Sequence, residues 1–381
     1  MEFRDLKRQY QNLKQNIDDQ IAEVIASAHF ISGPQVKELE AQLAAYVGRK
    51  HCITCGNGTD AISIALLAYG IGSGDAVFVP AFTLFSSGEC PATPGATPIF
   101  IDVREDTYNM DVSSLEKAIK KVLSEGRLKP KAVVAVDLFG LPADYNAICP
   151  LCQKYDLMLL EDGAQGFGGS IYGKRACSFG DIATTSFFPA KPLGCYGDGG
   201  AIFTDDDNIA SLCRSIAVHG KKLDDKYNNV RLGMNSRLDT MQAAILLTKF
   251  RAFQDYELEK VNEVAAVYMG LLSSVNDLLF PMVPEGFYSS WAQYTVQLPE
   301  GIERTVVQSY MRAADIPTMV YYAKPMHKQV AFSGTRSAVA ECPVTEKLCE
   351  RVLCLPIHPY LEEVEIVYVV KKLREALEQS F

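Results

Sequence analysis

Between Lys50 and Phe203 seven short apolar runs follow one another: HCITC, AVFVP, TPIFID, KAVVAVD, LMLLED, DIATTSF and AIFT. Amphipathic stretches, Ala61–Tyr69, Val112–Leu123 and Ala143–Tyr155, separate several of them. Alternation of this kind specifies β/α units. The runs are continuously apolar, not alternating, so each strand is buried on both faces, which requires a mostly parallel sheet sandwiched by helices. The expected class is α/β, with ligands bound beyond the carboxyl ends of the strands.

At 381 residues, the chain is longer than the roughly 250–300 residues one core usually holds. A long helical pattern from Leu238 to about Leu272 is followed, after Asn276, by Pro-marked short strands (WAQYTVQLP, IPTMVYY) and by helices over Glu303–Ala314 and Leu361–Glu378. This predicts a large domain over 1–250 and a smaller α+β domain over 251–381. No run of 18 apolar residues is present to span a bilayer, and the opening MEFRDLKRQYQNLKQ has no apolar signal core, so a cytoplasmic protein with no membrane contact is expected. With 37 basic against 46 acidic residues, a net charge of −9 and no basic run longer than Lys-Lys, nucleic acid is not an expected partner.

Eleven cysteines without a secretory signal read as reduced thiols used as small hydrophobes. The pairs Cys52/Cys55 and Cys149/Cys152 have C-x-x-C spacing. In a strand, however, residues three apart point to opposite faces, and the second pair sits on a helical pattern far along the chain, so no metal site is expected.

The segment Thr184–Gly200, TTSFFPAKPLGCYGDGG, carries the chemistry. Lys191 follows an apolar strand, is flanked by Pro189 and Pro192, and precedes a glycine-rich turn. Taken alone it could be a surface turn lysine. Buried, it would lose charge through desolvation and offer a neutral amine, the form that makes a Schiff base with a carbonyl. Upstream, LMLLED ends in Asp162, a carboxylate at the C-terminal end of a strand, where pyridoxal phosphate needs a partner for its ring nitrogen. The alternative for Asp162 is a plain cap. GNGTDAISIALLAYG is a glycine-containing turn opening a helix, which is either a capped turn or a phosphate cradle of backbone amides with the Thr59 hydroxyl added. It is not a nucleotide-binding P-loop, since no Gly-Lys-Ser/Thr follows.

Together with FRDL, GNGTDA, PAFT, EDGAQGFG, SFFPAKPLGCYGDGGAIFT, GMNSRLDTMQAAIL and LPIHPYL, these residues closely resemble the DegT/DnrJ/EryC1/StrS family of sugar aminotransferases, over essentially the whole chain. The resemblance implies the aspartate-aminotransferase-like fold (fold type I) and pyridoxal 5'-phosphate as cofactor. It implies that Lys191 is the catalytic lysine that carries the cofactor and shuttles the proton, that Asp162 pairs with the ring nitrogen, that Gln165 contacts the ring oxygen and that Phe82 stacks on the ring. Gly58, Thr59 and Ser186 would hold the phosphate, with Asn235 reaching it from the neighbouring subunit of a homodimer with shared sites. Arg237, Tyr321, Tyr322 and His327 would face the substrate.

Within the family the likeness is to enzymes that aminate UDP-2-acetamido-2-deoxy-3-oxo-glucuronate, although these carry His-Tyr where this chain has Tyr321-Tyr322. The implied reaction moves an amino group, from glutamate, to a nucleotide-linked keto sugar for surface polysaccharide or amino-sugar biosynthesis. The alternatives are an aminotransferase for another 3-keto or 4-keto nucleotide sugar, and a regulatory protein that binds cofactor or sugar without turnover.

Overall fold

The computed structural model describes residues 1–379 apart from 223, 224, 226, 276 and 339. All seven apolar runs are strands of one sheet: β1 (His51–Cys55), β2 (Asp75–Pro80), β3 (Thr97–Ile101), β4 (Lys129–Val136), β5 (Met158–Asp162), β6 (Ile182–Ser186) and β7 (Gly200–Thr204). Their order is β1-β7-β6-β5-β4-β2-β3. From β3 through β6 every neighbouring pair is parallel. β7 is antiparallel to both β6 and β1. Parallel neighbours need a crossover of a dozen or more residues, usually a helix, whereas the link from β6 to β7 holds no helix and turns straight back. That link, which contains Lys191, therefore lies at the carboxyl edge of the sheet beside the end of β5, where Asp162 pairs in register with Thr184.

The sheet is covered on both faces, as its continuous apolar strands require. Val77, Val79, Val134 and Leu160 pack on one side against Ala61 and Ile64 of α3 (Gly58–Ala68). Phe78, Val133, Ala135 and Leu159 pack on the other against Leu115 and Ile119 of α5 (Val112–Glu125) and Ile148 of α6 (Tyr145–Lys154). Two helices precede the sheet, α1 (Leu6–Ser27) and α2 (Pro34–Val47); α4 (Phe85–Ala92) follows β2 and α7 (Asp207–Ile216) follows β7. Cys52 packs with Leu39 and Leu43 of α2, while Cys55 packs with Ala61 of α3, so the two thiols of this pair do face opposite ways. All eleven cysteines are free thiols.

The long helical pattern becomes α8 (Thr240–Ala252) and α9 (Leu258–Leu272), joined through a π-helical turn at Phe253–Glu257. A second core runs from Val261 to Leu377, built on α9, α10 (Arg304–Ala313), α12 (Glu363–Glu378) and the antiparallel pair β8 (Tyr294–Gln297) and β9 (Val352–Leu355). Here the structure departs from the sequence reading. IPTMVYY contributes only one isolated bridge, Met319 to Cys354, since Pro317 removes a ladder donor from the segment. The partner of β8 is instead the short run VLCL, which follows directly on α11 (Pro343–Arg351). Among the described residues no helix is long and apolar enough to cross a membrane.

One carboxylate fastens α11, the helix that leads into β9, to the end of β3. Asp102, just past β3 and buried, accepts hydrogen bonds from Val344 N (3.0 Å), Thr345 N (2.8 Å) and Thr345 Oγ1 (2.8 Å), pairing amides at the start of α11 that have no partner within the helix. Asp102→Ala leaves these groups unpaired and is expected to lower stability by roughly 2–4 kcal/mol, read from urea denaturation.

Candidate active site

Three links meet at the carboxyl edge of the sheet. In the first, Asn57 is extended and its Oδ1 accepts the Asp60 amide at 2.8 Å, which starts α3 at Gly58. Among the described residues the amides of Gly58 and Thr59 have no acceptor, as the first turn of a helix dictates. The turn lies against the ends of β6 and β7. A Cβ on Gly58 would come within 2.7 Å of Ser186 Cβ, and one on Gly200 within 2.5 Å of the Asn57 carbonyl carbon. Glycine at 58 thus lets Ser186 lie against the helix N-terminus, which sets a hydroxyl beside two amides without acceptors, donors of the kind that bind an anion.

In the second link Asp162 ends β5, buried to 5% exposure. Its Oδ2 accepts from Ser87 Oγ at 3.1 Å and its Oδ1 from Ala164 N at 3.2 Å. Ser87 is braced in turn by Thr83 Oγ1 at 3.2 Å. Burial raises the Asp162 carboxyl above its usual range, and the positive charge of Lys191 works in the opposite direction. Gln165, also buried, accepts the Phe139 amide at 2.7 Å and donates through Nε2 to Tyr322 Oη at 3.2 Å.

The third link carries Lys191, half-buried, in a turn closed by its own amide on the Phe188 carbonyl at 2.9 Å. Burial lowers its ammonium below the usual lysine value, with Asp162 opposing and Arg4 assisting. Lys191, Asp162, Gln165, Tyr322 and the Gly58–Thr59–Ser186 cradle thus belong to one region.

Other residues are placed differently. Phe82 does not present a face for stacking: it is 1% exposed, enclosed edge-on by Phe139 and Tyr322 and beside Tyr108. The apolar side chain this loop leaves open is Leu84, 46% exposed. His327 is buried with Nε2 3.0 Å from Glu346 Oε1 on α11, and among the described residues no hydrogen bond or ring contact joins it to the group. Tyr321 is half-buried with its ring edge-on to Phe3. Asn235 and Arg237 are exposed, and Arg237 Nη2 donates to Asn235 Oδ1 at 2.5 Å. Between them Ser236 is buried, receiving the Gly56 amide at 2.9 Å and donating to Asp60 Oδ2 at 2.6 Å. Thr83 and Ser87 also belong to this group, and nothing in their spacing at the start of α4 points to Asp162, 75 residues beyond Ser87.

The model of the DegT/DnrJ/EryC1/StrS aminotransferase family matches residues 11–374. The chain belongs to that family. It is 44% identical to the UDP-2-acetamido-2-deoxy-3-oxo-D-glucuronate aminotransferase of Pseudomonas aeruginosa, over 98% of this chain and 99% of the relative. It is 43% identical to a pleiotropic regulatory protein of Geobacillus stearothermophilus, over 97% of each. A family aminotransferase from Brucella abortus superposes with a TM-score of 0.94 at 43% identity, covering 98% and 99% of the two chains. NtdA of Bacillus subtilis, solved with bound cofactor PMP, superposes with a TM-score of 0.86 at 29% identity, covering 97% and 82%. The fold is therefore the fold type I of these aminotransferases.

The family's cofactor is pyridoxal phosphate, and the donor set suits it: a cradle for a phosphate, a buried carboxylate for a ring nitrogen, and a lysine whose charge is disfavoured for a carbonyl. Gly58→Ala forces the new methyl group against Ser186. It is expected to weaken pyridoxal phosphate binding at least ~10-fold, a loss of about 1.4 kcal/mol, in calorimetric titration, with the circular dichroism unchanged.

Proposed function

We propose that this protein transfers an amino group from glutamate to the keto group of a UDP-linked 2-acetamido sugar. The first candidate is UDP-2-acetamido-2-deoxy-3-oxo-glucuronate, aminated in the cytoplasm for surface polysaccharide or amino-sugar biosynthesis. The observation that carries the reading is the position of Lys191, on the link at the sheet edge beside the end of β5 with Asp162 and the Gly58–Ser186 turn, where burial disfavours its charge. The activity of the Pseudomonas relative supports the choice of sugar. Eleven unpaired thiols suit a reducing compartment.

When bound, pyridoxal phosphate supplies a carbonyl for an amine to condense with and a ring that takes up the electrons of a broken C–H bond. The protein has to hold and protonate it. Gly58, Thr59 and Ser186 bind the phosphate through amides and hydroxyls. Asp162, fixed by Ser87 and Ala164, keeps a proton on the ring nitrogen, and a charged carboxylate does this better than an amide could. Gln165 meets the ring oxygen, oriented by Phe139 and Tyr322. Lys191 would hold the carbonyl of the cofactor, and its Nζ, when neutral, would serve as the base that moves the proton of the substrate carbon. Tyr321 and Tyr322 stand on the substrate side.

Asn235 and Arg237 are assigned to the partner's site in a homodimer, Asn235 to the phosphate and Arg237 to the diphosphate or carboxylate of the sugar. Their exposure supports this, as do Val230 and Leu232 in the same segment, 50% and 96% exposed, apolar groups that a partner would cover. The regulatory relative favours a second reading, binding without turnover. A cofactor absorbance that bleaches on addition of glutamate supports the enzyme, and a silent one the binding protein. A panel of UDP- and dTDP-keto sugars then identifies the acceptor.

Lys191→Ala is expected to lower turnover at least ~10³-fold with the fold retained, and borohydride reduction of the wild type is expected to label Lys191 and no other lysine. Asp162→Asn should keep the cofactor but lose about 100-fold or more in kcat, measured with saturating glutamate. Mixing inactive Lys191→Ala and Arg237→Ala proteins under subunit exchange should restore activity through one intact shared site. Activity that remains the sum of the two parents would place each site within one chain.

A further inference from the structure

The N-terminal segment Phe3-Arg4-Asp5 has no part in the scheme above, yet it touches the reactive lysine. Asp5 caps α1, its Oδ1 accepting the Arg8 amide at 2.8 Å, so the residue before it is held against the start of a long helix. From there Arg4 Nη2 donates to the carbonyl of Lys191 at 3.1 Å, and Nη1 to that of Ala292 at 3.4 Å. Arg4 and Lys191 line the same hollow, together with Pro192, Glu257, Ser290 and His358.

Among the described residues no carboxylate lies within ion-pair distance of Arg4. Glu257, the acidic group facing it, already accepts from Gln9 Nε2 at 2.8 Å and from Tyr360 Oη. Both bonds of the guanidinium therefore end on neutral carbonyls. Burial pushes its pKa down to about 10 with Glu257 opposing, the mark of a cation held without full compensation. Such a charge is destabilising where it sits, and the fold keeps it next to the lysine whose neutral form is useful.

We propose that Arg4 is the positioning residue of Lys191: one guanidinium ties the lysine's loop to the N-terminal segment and to the carbonyl of Ala292, and adds its positive charge to the hollow that the lysine shares. This rests on the role given to Lys191 above. Two charged groups act on the Lys191 amine, Asp162 favouring its ammonium and Arg4 disfavouring it. Around Arg4 itself stand Glu257, Lys249 and His358. Removing the Arg4 charge leaves Asp162 less opposed. The Lys191 pKa rises, and the neutral amine appears only at higher pH.

The test uses the full-length protein freed of cofactor, with the rate of acetic anhydride labelling of the Lys191 peptide followed by mass spectrometry across pH. In Arg4→Gln the midpoint is expected to move up by roughly 0.5–1 pH unit, and in Arg4→Lys, which keeps the charge, to stay within about 0.3 of wild type. An unmoved midpoint in Arg4→Gln overturns the proposal, and so does an Arg4→Lys shift as large as that of Arg4→Gln, which would make the effect one of packing. Thermal melting verifies folding, and Arg4→Met, which keeps the apolar stem, replaces Arg4→Gln if that variant does not fold. Borohydride mapping decides separately whether Lys191 carries the cofactor, so failure of that assignment is distinguishable from failure of this one.

Discussion

The short return between β6 and β7 is the constraint on which the site depends. A strand that turns straight back must pair antiparallel with the strand it left, and here it does so inside a sheet that is otherwise parallel from β3 to β6. The link therefore cannot cross to the opposite edge. It stays at the carboxyl ends of its neighbours, where Asp162 finishes β5 and the amides of α3 begin. A helical crossover here would carry the next segment of chain back across a face of the sheet.

Much of the fold was legible because burial on both faces leaves a plain signature: seven apolar runs became seven strands, and helical patterns such as Val112–Leu123 became helices. The second core was harder to read. Its strand β9 is a four-residue run directly abutting α11, whereas IPTMVYY, richer in β-branched and aromatic residues, pairs at a single point because Pro317 interrupts it. Local preference misleads where the decisive contact is distant in sequence.

The site divides along the same line. Asp162, Lys191 and the GNGTD turn announce themselves, since each sits at the end of a readable strand. Side-chain direction at a strand exit does not: Phe82 turns into an aromatic cluster, while Leu84, two residues later, remains open. His327 is drawn to Glu346, a partner that belongs to α11. The brace of Thr83 and Ser87 on Asp162, and the reach of Arg4 to the Lys191 loop, link segments dozens to hundreds of residues apart, for which spacing carries no sign.

The buried hydroxyl of Ser236 has a consequence of another kind. It accepts the Gly56 amide and donates to Asp60, so the outward-facing Asn235 and Arg237 are riveted to the anion cradle of their own chain. In an assembly where those two side chains serve a neighbour, damage does not stay where it occurs. A lesion in one copy's GNGTD turn would then reach the other copy's pocket through Ser236.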